Sequence, residues 1–337
     1  MDWFEKLTGF RETDYEGTLA KLSVDGDRLQ SLVNGKSYGI GDLELVPLQA
    51  LRDRTKSLQA AQPGRLKVSI VKGDVRKMHQ SPENAGALFQ VASQFNLLEM
   101  VSPRVAPEQG VTRYQHDHTQ GPACAIAAGA ATIYRNYFAP VDGGRGQTTD
   151  RQFDGLADLG KALGGGLNQP VTALWSMQNG YALCTRTGLD AIARYLGALE
   201  PEQLDILRGN LCIGVHRDVE VTDAAGEPRP LVSQAFCSAL PVAYTRVPPS
   251  HWEPFASLVL QAAYEATMLA AVLNAQRGAS NIVLLTMLGG GAFGNREEWI
   301  HAAIKRALEM MREVDLDVRL VSYGTPSVEI TQLAQHF

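Results

Sequence analysis

The stretch that most restricts what this chain can fold into runs from 281 to 323: NIVLLTML, then GGGAFGN, then REEWIHAAIKRALEMMREV, then DVRLVSY. A continuous apolar run predicts a strand buried on both faces. The mixed charged and apolar segment after the glycines predicts an amphipathic helix, and the β-branched segment beyond it a second strand. Strand, loop, helix and strand in that order require parallel neighbours and helices layered on a sheet. Gly289, Gly290, Gly291 and Gly294 stand at the first strand–helix junction. Without Cβ atoms their amides can approach an anion closely, and the helix N-terminus adds positive potential. A tight turn alone would need fewer glycines. The junction therefore reads as a phosphate-binding loop, weighed against the plainer reading that the glycines only permit the turn.

Gly289-x-Gly291-x-x-Gly294 also fits the spacing of a dinucleotide fingerprint. That fingerprint belongs to the first strand of its sheet, with further strand–helix units to follow and an acidic residue ending the next strand. Here one strand follows, it ends in Ser322-Tyr323, and the chain stops at Phe337. The order of elements excludes the dehydrogenase reading.

Upstream, residues 16–50 carry Asp25-Gly26 and Asn34-Gly35 between alternating segments, the pattern of β-hairpins. Gln62-Pro63-Gly64 marks a joint. LKVSIVKGDV (66–75) and GALFQVASQF (86–95) read as strands, the first ending in Gly-Asp and the second leading into Asn96. A polar loop (101–122) containing YQHDHTQGP precedes ACAIAAGAATIYRNYF (123–138), a buried helix rich in small residues. Between 140 and 210 the expectations are a loop at VDGGRGQTTD, a helix capped by Thr149 or Asp150 and running to about Leu163, an irregular GGGLNQP (164–170), a hairpin at 173–183 and a helix at 189–199. Strands follow at 211–222 and 232–244, then a long helix at 255–276. The expected fold class is α/β, a three-layer α/β/α sandwich with a mixed, largely parallel central sheet. Residues 1–64 form a β-rich extension packed on a core of 65–337, which carries a helical and hairpin insertion at about 140–230.

The 337 residues are 45% hydrophobic and 20% charged, ample for a sizeable core. A net charge of −5 and a pI near 5.8 argue against a generally basic nucleic-acid binder. The opening MDWFEKLTGFRETD mixes charges among its apolar residues and lacks the core of a signal peptide. The longest apolar candidate, 255–273, contains Gln261 and Glu265 and reads as a buried or amphipathic helix rather than a membrane span. Cys124, Cys184, Cys212 and Cys237 are scattered without CxxC spacing, as expected for free thiols in a reducing compartment. A cytoplasmic protein without membrane partner or cofactor is expected.

The chain resembles the macro domain superfamily, and in part its poly(ADP-ribose) glycohydrolase branch. LLTMLGGGAFGNREEWIHAAIKRAL resembles the family's second phosphate loop and helix, VSIVKGDVRKM its first core strand, FQVASQFNLLEM the strand ending in asparagine, and QAFCSALPVAY the strand before the long helix. The resemblance covers about half the chain and implies an ADP-ribose ligand or an ADP-ribosylated protein, with hydrolysis of an ADP-ribosyl glycosidic bond as its chemistry. It makes Asp74 the adenine contact, Asn96 the distal-ribose contact, and Gly289, Gly290, Gly291, Ala292, Phe293, Gly294 and Asn295 the diphosphate cradle. Phe293 would pack on the ribose and Tyr323 on the adenine; Gln120 and Gly121 would lie at the first phosphate loop. The family's glycine cluster and paired glutamates have no counterpart in SPRVAPEQGVTRYQHDHTQGPACA. A non-catalytic nucleotide reader, with the 140–230 insertion as a partner surface, is the alternative.

For catalysis the candidates are Asp117, His118 and Glu108. His116-Asp117-His118 is the densest titratable group in a loop facing the expected ligand, suited to acid–base work near neutral pH. The string reads as a ligand-facing polar loop in preference to a metal site, since no third and fourth ligand can be named. Glu99, Glu108 and Asp117 are the carboxylates nearest the expected ribose, and the residues alone do not choose among them. Cys124 at a helix start would be favoured as a thiolate, although Ala123 to Ala131 reads as packing surface.

Overall fold

The computed structural model describes residues 1–56 and 64–337, so the expected joint at Gln62-Pro63 lies outside the described residues. Seven strands form the central sheet: β1 (Asp42–Pro47), β2 (Lys67–Lys72), β3 (Leu88–Ala92), β4 (Cys212–Glu220), β5 (Leu231–Cys237), β6 (Ile282–Leu285) and β7 (Asp317–Ser322), in the order β1-β4-β5-β3-β6-β7-β2. The run from β5 through β3, β6 and β7 to β2 is parallel throughout, and β4 runs antiparallel to both its neighbours. The sheet is mixed and largely parallel, as the sequence predicts.

Alternation along the strands divides two cores. Leu88 on β3, Ala235 and Cys237 on β5, and Val283 and Leu285 on β6 face the long helix α3 (Pro249–Gln276) and α4 (Glu297–Met310). Phe89, Val91, Phe236 and Leu284 face the opposite layer, made by α1 (Gln120–Ala127), α2 (Gly129–Tyr137) and the short helix Val75–Gln80. Among the described residues α3 is the helix long and apolar enough to cross a membrane, and 83% of its most apolar window is buried in the core. Small residues let α1 lie close on β3. A Cβ on Gly121 would stand 1.9 Å from the Ala92 carbonyl oxygen, so only glycine fits there.

Several boundaries differ from the sequence expectation. The segment 123–138 is two helices, because Ala128 (φ −111°, ψ 59°) breaks the register between α1 and α2. Gly164 to Gly166 continue the helix Ala157–Leu167, which starts after Leu156 rather than at Thr149 or Asp150, and Asn168 in the left-handed region ends it. Strand β5 stops at Cys237, and 238–244 lead into the 3-10 turn Val242–Tyr244, where Ala243 N–H donates to Phe293 O at 3.0 Å. The tail forms a helix, Val328–His336, and β1, from the expected N-terminal extension, is an edge strand of the core sheet. The rest of that extension contributes Trp3, Phe4, Phe10 and Tyr38, which pack on the outer faces of α1 and α2.

Candidate active site

The carboxyl ends of β3, β6, β7 and β2 open on one side of the sheet, where parallel α/β sheets place their ligands. Two adjoining cavities of about 260 and 250 Å³ lie there. Thr119, Gln120, Thr286 and Met287 line both, so they form one cleft running from the glycine loop toward Asp74.

At the glycine-loop end, Gly289, Gly291, Ala292 and Phe293 line the wall. Asn295 holds the loop in shape: its side-chain amide donates to the Leu240 carbonyl at 2.8 Å and its backbone N–H to Gly289 O at 2.9 Å. Gly289 (φ 75°) and Gly294 (φ 71°) require the left-handed region, and a Cβ on Gly289 would meet the Ala239 Cβ at 2.4 Å. Within the loop, Gly290 N–H donates to Met287 O and Gly294 N–H to Gly291 O. Among the described residues, the amides of Gly289, Gly291, Ala292 and Phe293 donate to no protein acceptor. Such a row of free N–H groups on a cavity wall suits an anion.

Beyond the loop the wall is aromatic. Phe293 lies 5.3 Å from Tyr181 and 5.5 Å from Tyr244, ring to ring, and all three line the cavity. Tyr181 comes from the hairpin Trp175–Gln178 and Tyr181–Cys184, so the insertion roofs the cleft; its hydroxyl donates to Met100 O at 2.6 Å. At the other end Asp74 caps the helix Val75–Gln80 through the Arg76 N–H at 2.9 Å and, with His118 and Tyr323, lines the second cavity. Tyr323 is 84% exposed.

The floor of the first cavity holds Ser93, Gln94 and Glu99. Gln94 Oε1 accepts from Met100 N–H at 2.7 Å, and Leu97 adopts a left-handed φ of 63°, so the chain turns sharply after β3 and brings Glu99 back under the cleft. Glu99 is 2% exposed. Its Oε1 lies 3.4 Å from Arg135 Nη2, while Oε2 has no partner among the described residues. Burial pushes the Glu99 carboxyl up to about 7, against the opposing pull of Arg135 and Tyr114. Arg135, wholly buried on α2, also donates from Nε to Leu97 O at 3.1 Å and lies over the Phe236 ring at 3.9 Å.

The sequence candidates thus separate. Asp74, Asp117, His118, Gln120, Gly121, Gly289, Gly291, Ala292, Phe293 and Tyr323 line the cleft. Gln120 does so while finishing the β3 ladder, accepting from Ala92 N–H at 2.9 Å and donating to Gln90 O at 2.8 Å. Asn96 lies elsewhere: it is fully buried, with its amide donating to Gln152 and its oxygen accepting from Leu98 N–H. Glu108 is spent clipping two loops together, accepting from the Thr149 N–H and hydroxyl. Gly290 turns toward Ile300 of α4, and Gly294 and Asn295 shape the loop from behind. Cys124 is not a reactive thiol: burial and the nearby Glu99 and Asp74 charges push it well above its usual range. His116 is exposed, and no cluster of three or more metal-ligating side chains occurs among the described residues. Tyr181 and Tyr244, which the sequence reading missed, reach the site through long-range packing and carry no local signal. Glu99 was visible only as one of three carboxylates.

No family model and no curated protein matches the chain. Among solved structures, it is similar to poly(ADP-ribose) glycohydrolase from Deinococcus radiodurans in complex with ADP-ribose, at 11% identity and a TM-score of 0.45 over 87% of this chain and 93% of that one. The enzyme from Thermomonospora curvata overlaps at 13% identity and a TM-score of 0.43, over 92% and 94%. The same enzyme bound to the inhibitor ADP-HPD overlaps at 12% and 0.41, again over 92% and 94%. Overlaps of that size identify neither a family nor a ligand.

Proposed function

We propose that this protein binds a nucleotide of the ADP-ribose type, with the diphosphate on the amides of Gly289, Gly291, Ala292 and Phe293. The adenine lies toward Asp74 and Tyr323, and the terminal ribose toward Ser93, Gln94 and Glu99. The observation that carries this reading is the run of loop residues with unpaired amides lining a cavity that continues to Asp74. The glycine loop shares one cavity with Ser93, Gln94 and Glu99, and that cavity adjoins the one at Asp74 and Tyr323, an arrangement that suits a ligand with a diphosphate at its middle. A half-buried carboxylate such as Asp74 can accept from an exocyclic amine, and an exposed tyrosine face such as Tyr323 can stack on a base.

Calorimetric titration tests the reading with ADP-ribose, ADP and ribose 5-phosphate, and ADP-ribose should bind most tightly. A side chain at Gly291 meets nothing within 4 Å, so Gly291→Asp leaves the fold intact while setting a carboxylate on the anion wall. It should weaken ADP-ribose by at least about 100-fold, the scale of a close like-charge contact. Asp74→Asn keeps the helix cap, since Asn caps as well as Asp, and should cost about 10-fold through loss of the charged acceptor. No heat from wild type at millimolar ADP-ribose would refute the proposal.

A further inference from the structure

We infer that the end of this cleft beyond the terminal ribose takes a flat cationic ring, so that the ligand it fits is an ADP-ribose bearing a pyridinium on its anomeric carbon, the chemistry of NAD+. The inference rests on the nucleotide-binding reading above and adds to it the group attached to that ribose, held as a ligand with no hydride transfer. Two features of the first cavity carry it: a cluster of aromatic rings and an imbalance of charge.

Phe293 belongs to the glycine loop and Tyr244 to the 3-10 turn Val242–Tyr244; both are half-buried and line the cavity. Their rings meet edge to face, 5.5 Å apart at 72°. Tyr181 is 1% exposed and packs against both, at 5.1 Å from Tyr244 and 5.3 Å from Phe293, which restrains them. A short chain of contacts ties the cluster to the ribose floor: the Tyr181 hydroxyl donates to Met100 O at 2.6 Å, and Met100 N–H donates to Gln94 at 2.7 Å. Val101, 54% exposed, extends the apolar wall. Bare ADP-ribose ends in a sugar hydroxyl and leaves these faces uncovered. An aromatic ring on the same carbon gains stacked or edge contacts with them.

The charges favour a cation. Glu99 and Asp117 line the first cavity and Asp74 the second, and neither lining includes lysine or arginine; His118 stands in the second, at the adenine end. Arg135 is wholly buried and paired with Glu99, so it offers the cavity no free charge. Asp117 accepts from the Thr119 N–H at 2.9 Å and hydroxyl at 2.6 Å, both through Oδ1. Its charge also reaches the rings. The Tyr181 hydroxyl is held well above its usual range, chiefly by burial, with Tyr244 and the Asp117 charge adding to it. A cleft with acids and no strongly basic side chain is a poor match for a bare diphosphate. A pyridinium offsets part of that negative charge, and tyrosine faces and a nearby carboxylate both attract it.

Calorimetry on the full chain with NAD+, NADH and ADP-ribose tests this. NADH keeps the size of the ring and loses its charge; ADP-ribose lacks the ring. NAD+ should bind at least about five-fold tighter than ADP-ribose and at least about three-fold tighter than NADH. Tyr244→Leu keeps apolar packing on Tyr181 and should bring the NAD+ to ADP-ribose affinity ratio close to one. Asp117→Asn keeps an acceptor for Thr119 and should bring NAD+ and NADH within about two-fold of each other. If one variant does not fold, the other and the wild-type ratios decide. Three results overturn the inference: wild type holding NAD+ no tighter than ADP-ribose, NADH binding as tightly as NAD+, or both variants keeping the wild-type ratios. Binding of ADP-ribose without any gain for NAD+ leaves the nucleotide reading standing, whereas binding of none of the three defeats that reading itself.

Discussion

Replacing Glu99 by Gln should make the protein's stability less sensitive to alkaline pH, by an amount that follows from the site. The Glu99 carboxyl sits at about 7 in the folded protein against an ordinary 4.5, with burial the larger cause and the Arg135 charge opposing it. The folded state therefore holds the proton more tightly than the unfolded chain. The stabilisation from the protonated group is complete below 4.5 and lost as pH rises through about 7. Applying the linkage relation, the loss is about 1 kcal/mol at pH 5 and about 3 kcal/mol at pH 8, so wild type should fall by about 2 kcal/mol relative to the variant across that window. Gln is isosteric with the protonated acid and does not titrate. Other shifted groups, such as His79, which burial holds down at about 4, and Glu44, which Arg54 and Arg217 hold at about 2, are common to both proteins and cancel.

Urea unfolding of both proteins at half-unit intervals from pH 5 to 8 gives the difference directly. A difference constant to about 0.5 kcal/mol would refute the reasoning, because the Arg135 contact would then offset the whole cost of burying the charge. At a single contact of 3.4 Å between groups 0% and 1% exposed, desolvation should prevail.

Gly121→Ala should destabilise by about 3 kcal/mol, because its Cβ would lie 1.9 Å from Ala92 O and force α1 off β3; the urea midpoint measures it. Glu265→Gln should cost about 3 kcal/mol in the same assay, since the fully buried Glu265 carboxylate binds Arg52 and Arg306 at 2.6 Å each and its loss leaves both cations short of a partner. An unchanged midpoint in either variant would contradict the contact it removes.

Local pattern carries the part of this fold that depends on neighbours in sequence. The apolar run at 282–285, the glycines after it and the amphipathic helix Glu297–Met310 each announce themselves, because strand burial, left-handed backbone and helical periodicity all act over a few residues. The glycine-rich strand–helix junction and the α/β class were therefore legible from the sequence. Asp74 at the end of β2 was legible for the same reason. Tertiary structure alone decided which of the carboxylates at the cleft is buried and short of partners, because exposure and desolvation are set by groups far apart in the chain. Arg135 lies on a different element from Glu99, Tyr181 arrives from the insertion, and Thr149 takes Glu108 out of reach. Residue type and spacing present the three acids as equals; only the packed chain gives one a buried, half-satisfied carboxyl on a cavity wall and ties the others to backbone amides.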